Sequence, residues 1–262
     1  NATARDYLAA PAIAGAASAG RVINGKTEVR AVSVTLTQDG EWTGFDGRLT
    51  ANAIPVTAEG RVRIANNRSD IELVAATATL RGIEASLAGP TIVVIDDGTA
   101  RFDGLTVTAA GGSAEISGTA GAAALDISAR LSSLPAAALN PFAPGLDAAG
   151  TLSGTARITG TPGNPAVAYD AEWSGGQVAQ SRAAGFGAMN VKSSGSYTGG
   201  VLSFRANVGE GSGLGMDGGG SINVLQRTAD IEVSGRVPFS FLARRLAAQG
   251  IGLEGAADVA MT

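Results

Sequence analysis

From Ile54 to Ile64 the chain keeps a strict two-residue rhythm. Ile54, Val56, Ala58, Gly60, Val62 and Ile64 alternate with Thr57, Glu59, Arg61 and Arg63. Successive strand side chains point to opposite faces, whereas a helix returns to one face every 3.6 residues, so a run this long at period two is a strand. One side of that strand is apolar and the other wet, the signature of an antiparallel sheet with a single face in need of cover. The rhythm recurs. Val32, Val34 and Leu36 alternate with Ser33 and Thr35, and Leu125, Ile127, Ala129 and Leu131 with Asp126, Ser128 and Arg130.

Further strands are expected at about residues 71–80, 83–87, 91–95, 100–109, 114–118, 167–173, 189–197, 201–208 and 221–226. Between and within them stand Asn24-Gly25 and five Asp-Gly pairs, at 39-40, 46-47, 97-98, 103-104 and 217-218. Such dipeptides supply the positive φ of tight hairpins, so the sheet is expected to be mostly antiparallel. The Ala-rich residues 1–20 read as one short helix before Pro11 and, with the residues up to 27, as a lead-in segment. Residues 28–123 and 124–262 then form two β segments. The second carries an internal repeat of roughly 100 residues. In it Asp126-Ile127 and Arg130-Leu131 are echoed by Asp230-Ile231 and Arg236-Val237, and Leu152, Gly154, Ala156 and Ile158 by Leu253, Gly255, Ala257 and Val259. Each copy holds a Pro-bounded apolar segment: Pro238–Gly250 puts Phe239, Leu242 and Leu246 on one helical face, and Leu134, Ala138, Leu139 and Phe142 make a poorer version. Both read as short helices packed on the apolar face.

Composition narrows the function. Of 262 residues 45% are hydrophobic but only 5% aromatic, with 38 glycines and no cysteine or histidine. Without histidine, most catalytic triads and zinc sites lack a required part; without cysteine there is neither disulfide nor thiolate. No enzymatic activity and no cofactor or metal are expected. The net charge of -4 and the absence of a Lys/Arg run beyond Arg244-Arg245 leave no footprint for nucleic acid. No apolar run reaches the roughly 18 residues of a membrane helix. A chain opening on Asn1 and closing within a strand pattern reads as a piece of something longer, with any anchor outside it.

Three motif matches fall to their context. Gly20–Thr27 fits the Walker A spacing and Ile92–Asp96 resembles a Walker B strand, but a phosphate loop needs a helix after it and Glu28–Leu36 alternates as a strand. No nucleotide is expected. Gly213–Gly218 fits G-x-G-x-x-G yet leads into strand residues, so it reads as a glycine-rich loop. Asp96-Asp97 before Gly98 reads as a turn rather than a carboxylate pair. Trp42 and Trp173 read as strand packing residues.

A long one-sided sheet leaves two arrangements open. It folds over tightly, as a thin sandwich or solenoid of small interdigitating residues, or it stays open as a trough completed by an apolar ligand. L-x-G-T-A-R-I-T-G-T-P-x-x-P at Leu152–Pro165, GSYTGGVLSFRANV at Gly195–Val208 and the strand, Pro-bounded helix, strand unit resemble the TamB (translocation and assembly module) family of the AsmA-like superfamily, best over about residues 100–262. The resemblance implies an all-β fold, a long curled, mostly antiparallel sheet forming a U-shaped hydrophobic groove (β-taco) built from repeats. It implies a periplasmic protein tethered to the inner membrane, which shields or conducts phospholipid between inner and outer membranes and supports outer-membrane assembly. The implied partners are phospholipid acyl chains and an outer-membrane barrel of the Omp85 type, the latter met through other parts of the parent protein. The family has no catalytic residue to carry over. The expected groove lining is Val32, Val34, Leu36, Ile54, Val56, Val62, Ile64, Leu125, Ile127, Leu152, Ile158, Val167, Tyr169, Trp173, Ile231, Val233, Leu253 and Val259. The alternative is an extracellular β-solenoid or adhesin-like structural domain, which would stack its repeats into a closed body.

Overall fold

The computed structural model describes residues 2–5, 12–24, 27–211, 213–239 and 255–261. Among the described residues the fold is all-β, 75% strand, an antiparallel sheet with almost no helix. The chain divides into two units, Asn1–Ile127 and Ser128–Thr262.

In the first unit the strands are β1 (Ala2–Arg5), β2 (Ala12–Asn24), β3 (Thr27–Asp39), β4 (Trp42–Ala51), β5 (Ile54–Ala65), β6 (Arg68–Leu80), β7 (Ile83–Leu87), β8 (Thr91–Asp96), β9 (Thr99–Ala109) and β10 (Gly112–Ala120). β1 to β6 pair in sequence order. β6 then meets two short strands end to end: Thr77–Leu80 pairs with β7 and Arg68–Leu73 with β8, and both pair onward with β9. The break between β7 and β8 contains Pro90, which has no N–H to give a ladder.

Where the short helix was expected before Pro11, residues 2–5 are strand, and residues 12–24 beyond it are strand as well. Ala17 and Ala19 of β2 stand opposite Val34 and Val32 of β3. Alanine favours helices, but pairing across a neighbouring strand overrides a preference worth only tenths of a kcal/mol per residue. Residues 6–11 lie outside the described set.

Among the Asp-Gly pairs, 39-40 and 97-98 close hairpins, with Asp97 at φ 45° and Gly98 at φ 73°. Asp97 also accepts a hydrogen bond from Asn67 Nδ2 at 2.9 Å, so Asp96-Asp97 is a turn, as expected. The pairs at 46-47, 103-104 and 217-218 lie inside strands, contrary to expectation. Gly104 has φ 69°, and the β9–β10 register shifts beside it, where Leu105 pairs with Ile116 and Phe102 with Gly118. Its positive φ makes a bulge rather than a reversal.

In the second unit β11 (Leu125–Pro135), whose first residues belong to the first unit, is followed by β12 (Ala149–Thr161), β13 (Asn164–Gln177), β14 (Met189–Thr198), β15 (Val201–Glu210), β16 (Gly215–Asn223), β17 (Thr228–Pro238) and β18 (Ala256–Met261). β12 to β18 pair each with the next. The strand expected at 221–226 starts earlier and ends at Asn223, which leaves Val224 and Leu225 exposed on the turn. The supposed glycine-rich loop from Gly215 on is strand, with Gly218 to Gly220 in its middle.

The connections alternate in kind. Thr161 to Asn164, Thr198 to Val201 and Asn223 to Thr228 are tight, while long segments follow β11 and β13. After β11 comes a single 3-10 turn, Ala136–Leu139, in place of the helix expected over Leu134–Phe142. After β13 comes α1 (Ala179–Ala184), which sequence reasoning missed. The Ser181 hydroxyl accepts the N–H of Val178 at 3.0 Å, and Gly185 at φ 87° ends the helix. Of the second Pro-bounded segment only Pro238 and Phe239 are described; the expected helix over the rest lies outside.

These segments hold what little core there is. Ala136, Ala148 and Leu214 are the buried apolar residues among those described, and no large side chain is fully buried.

Candidate functional site

Register converts alternation into continuous rows. In the second unit one row runs Leu152, Trp173, Val191, Val208, Met216, Gly235, Val259, each directly opposite the next. A parallel row runs Ala156, Tyr169, Gly195, Phe204, Gly220, Ile231, and another Ile158, Val167, Tyr197, Leu202, Ile222, Ala229. Val233 faces Met261 and Gly218 between them. The expected lining residues Leu152, Ile158, Val167, Tyr169, Trp173, Ile231, Val233 and Val259 therefore share one apolar face. Most are half-buried, with Ile231 and Val259 more open at 39% and 47% exposed.

The first unit repeats the pattern. Leu36, Phe45, Gly60 and Leu73 form a row, as do Thr43, Val62, Ile71, Val93, Phe102 and Gly118. Val32, Val34, Leu36, Ile54, Val56 and Val62 lie half-buried on that face, and Leu125 and Ile127 are half-buried in β11. Ile64 has the right parity, opposite Ser69, but at the strand end it is 71% exposed. Leu253 lies outside the described residues. The strongest contributors that the expectation left out are Phe45, Phe102, Tyr197 and Phe204. Each follows the same alternation within its strand, and two sit inside the GSYTGGVLSFRANV run.

Large and absent side chains face one another in these rows. Gly60 stands opposite Phe45, Gly118 opposite Phe102, and Gly195 between Tyr169 and Phe204. The Phe45 ring lies over the bare backbone of Gly60 and the Tyr169 ring over that of Gly195.

The opposite face is charged. In the first unit Arg61 pairs with Glu72 at 2.6 Å and Arg63 with Asp70 at 2.8 Å. Both guanidiniums stack over Trp42, at 4.7 and 5.0 Å from a ring centroid. Asp70, only 8% exposed, also meets Arg68 at 2.8 Å. Hydrogen bonds from Arg63 and then Arg68 hold its carboxyl below the usual range despite burial. Glu28 is lowered likewise by Arg30 and Arg21.

In the second unit the charged face borders a hollow of about 920 Å³. Its floor is backbone at Gly154, Ala171, Ala206 and Gly218, and its walls include Asp170, Glu172, Lys192, Arg205, Asp217 and Glu232. Trp173, Tyr169 and Phe204 do not line it, so it opens over the polar side. Of the expected groove residues only Val233 touches it. The hollow and the apolar face are thus two features of one sheet.

No group of three or more metal-ligating side chains occurs among the described residues, and none of their helices is long and apolar enough to cross a membrane. No protein-family model, curated protein or solved structure matches the chain.

Proposed function

We propose that the apolar face binds lipid acyl chains, and that the chain is a TamB-like periplasmic segment shielding or conducting phospholipid between the two membranes of its cell. One observation carries this reading: an apolar row continues strand by strand from β12 to β18, and no large side chain on that face is fully buried among the described residues. A contiguous apolar face that stays partly open to solvent marks a binding surface. Each CH₂ removed from water is worth about 0.8 kcal/mol, so a sixteen-carbon chain gains on the order of 12 kcal/mol from such cover. Rings laid over glycines give it few deep pockets, which suits a ligand that slides. A closed solenoid would bury its inward side chains, and here even Trp173 and Phe204 are only half-buried.

The test is mass spectrometry of organic extracts from the purified protein, from a variant carrying Val56→Glu and Val62→Glu, and from Thr57→Glu on the opposite face of the same strand. Phospholipid co-purifying with the parent and Thr57→Glu, and lost from the folded double variant, supports the reading. No lipid in any of the three overturns it.

A further inference from the structure

On the polar face of the second unit, Lys192 and Ser194 of β14 stand opposite Asn207 and Arg205 of β15. The two cations thus occupy diagonal corners of a four-residue square, about 7–8 Å apart, a span that long side chains close. Neither makes an ion pair among the described residues. Asn207 turns its amide to Asp217 at 2.8 Å, and Gly219, opposite Arg205, leaves that flank open. On the other flank Glu172 lies opposite Lys192, and Asp170 opposite Ser194. All of them line the hollow.

Two neighbouring cations repel, and an anion seated between them relieves the repulsion while taking charge-assisted hydrogen bonds from both. Arginine supplies a planar fork for oxyanions, lysine a point charge and Ser194 a hydroxyl donor. The carboxylates lie one strand away, about 4.8 Å, a distance that a two-carbon linker spans. We propose that the hollow binds a phosphate ester bearing an amine two carbons away, with the phosphate on Lys192, Ser194 and Arg205 and the ammonium on Glu172 and Asp170. This site is on the opposite face from the apolar rows and stands independently of the acyl-chain reading. Its ligand is either a small soluble phosphoamine or the headgroup of a zwitterionic lipid.

Isothermal titration of the full chain with free phosphoethanolamine, and sedimentation with vesicles of phosphatidylethanolamine, test it. Saturable binding is expected in at least one arm. Free binding assigns a soluble ligand, and vesicle binding that the Lys192→Gln, Arg205→Gln double variant loses assigns a headgroup, because vesicles held by the apolar face stay bound in that variant. Lys192→Gln and Arg205→Gln each weaken it by roughly tenfold or more, the worth of one charge-assisted contact. Asp170→Asn with Glu172→Gln lowers phosphoethanolamine affinity to that for inorganic phosphate, while Arg227→Gln, on an exposed turn, changes nothing. Circular dichroism confirms that each exposed-charge variant folds. Absence of free phosphoethanolamine binding together with vesicle binding unchanged by the Lys192→Gln, Arg205→Gln double variant, or free binding that survives that variant, overturns the proposal.

Discussion

Tyr169 lies across Gly195 on the neighbouring strand so closely that a Cβ at 195 would sit 2.9 Å from its ring carbon Cε1 and 2.3 Å from the Ser203 carbonyl oxygen. Neither contact is tolerable, and one is backbone, so a side chain at 195 forces the β14–β15 ladder apart. Gly195→Ala is expected to cost about 1–3 kcal/mol, the range for overpacking a well-fitted site. Gly209→Ala in β15, whose Cβ meets nothing within 4 Å, is the control and stays within about 0.5 kcal/mol of the parent. Urea unfolding followed by circular dichroism compares the two.

Asp70 sets an acid limit on the first unit. Its carboxyl is held below the usual range by Arg63 and Arg68 in the folded chain. A group depressed on folding contributes stability above its unfolded value, about 3.9 for aspartate, and loses it as pH falls through the lower folded value. Stability should therefore decline below about pH 4, and Asp70→Asn should flatten that decline while lowering stability at neutral pH. A series of melts between pH 7 and 2 checks both slopes. Equal slopes in parent and variant would refute the role given to Asp70.

What could be read from the chain beforehand follows the range of the interactions concerned. Period-two alternation is local, so Ile54 to Ile64 announced its strand and its apolar face without a structure. Asp-Gly pairs are local too, but ambiguous: the same positive φ closes a hairpin at Gly98 and makes a bulge at Gly104, and only the partner strand decides which. Ala12 to Gly20 carries no strand signal of its own, because its strand state depends on pairing with β3. Helix α1 carried only a weak stop signal at Gly185. The square of Lys192, Ser194, Arg205 and Asn207 was hidden altogether, since it exists only through the β14–β15 register.

Asn140 closes the long connection after β11. Its side-chain oxygen accepts the N–H of Ala148 at 2.7 Å and its amide donates to the Ala148 carbonyl at 3.3 Å. Ala148 is only 3% exposed, so water has little access to either group once the side chain is gone. An unsatisfied buried polar group costs about 1–3 kcal/mol, and Asn140→Ala is expected to lose at least that. Asn140→Asp keeps the acceptor and gives up the amide donor, so its loss falls between parent and alanine variant. Faster hydrogen exchange at Ala148 in Asn140→Ala, with protection kept in Asn140→Asp, locates the effect.

Among the described residues of the first unit, Trp42 is the one aromatic side chain placed among charges on the polar face, with Arg61 and Arg63 stacked on its ring. Each guanidinium is also paired across the sheet, Arg61 with Glu72 and Arg63 with Asp70, so the ring and the carboxylates fix the same two side chains from different sides. A cation over an indole is worth about 0.5–1 kcal/mol at exposed sites. A double-mutant cycle of Trp42→Leu and Arg61→Gln isolates that term, because leucine keeps most of the apolar contact while removing the ring's charge distribution. Coupling of about 0.5–1 kcal/mol is expected there, and none between Trp42→Leu and Arg205→Gln. Zero coupling in the first cycle would mean that the guanidiniums are held by Glu72 and Asp70 alone, and that Trp42 contributes only its buried area.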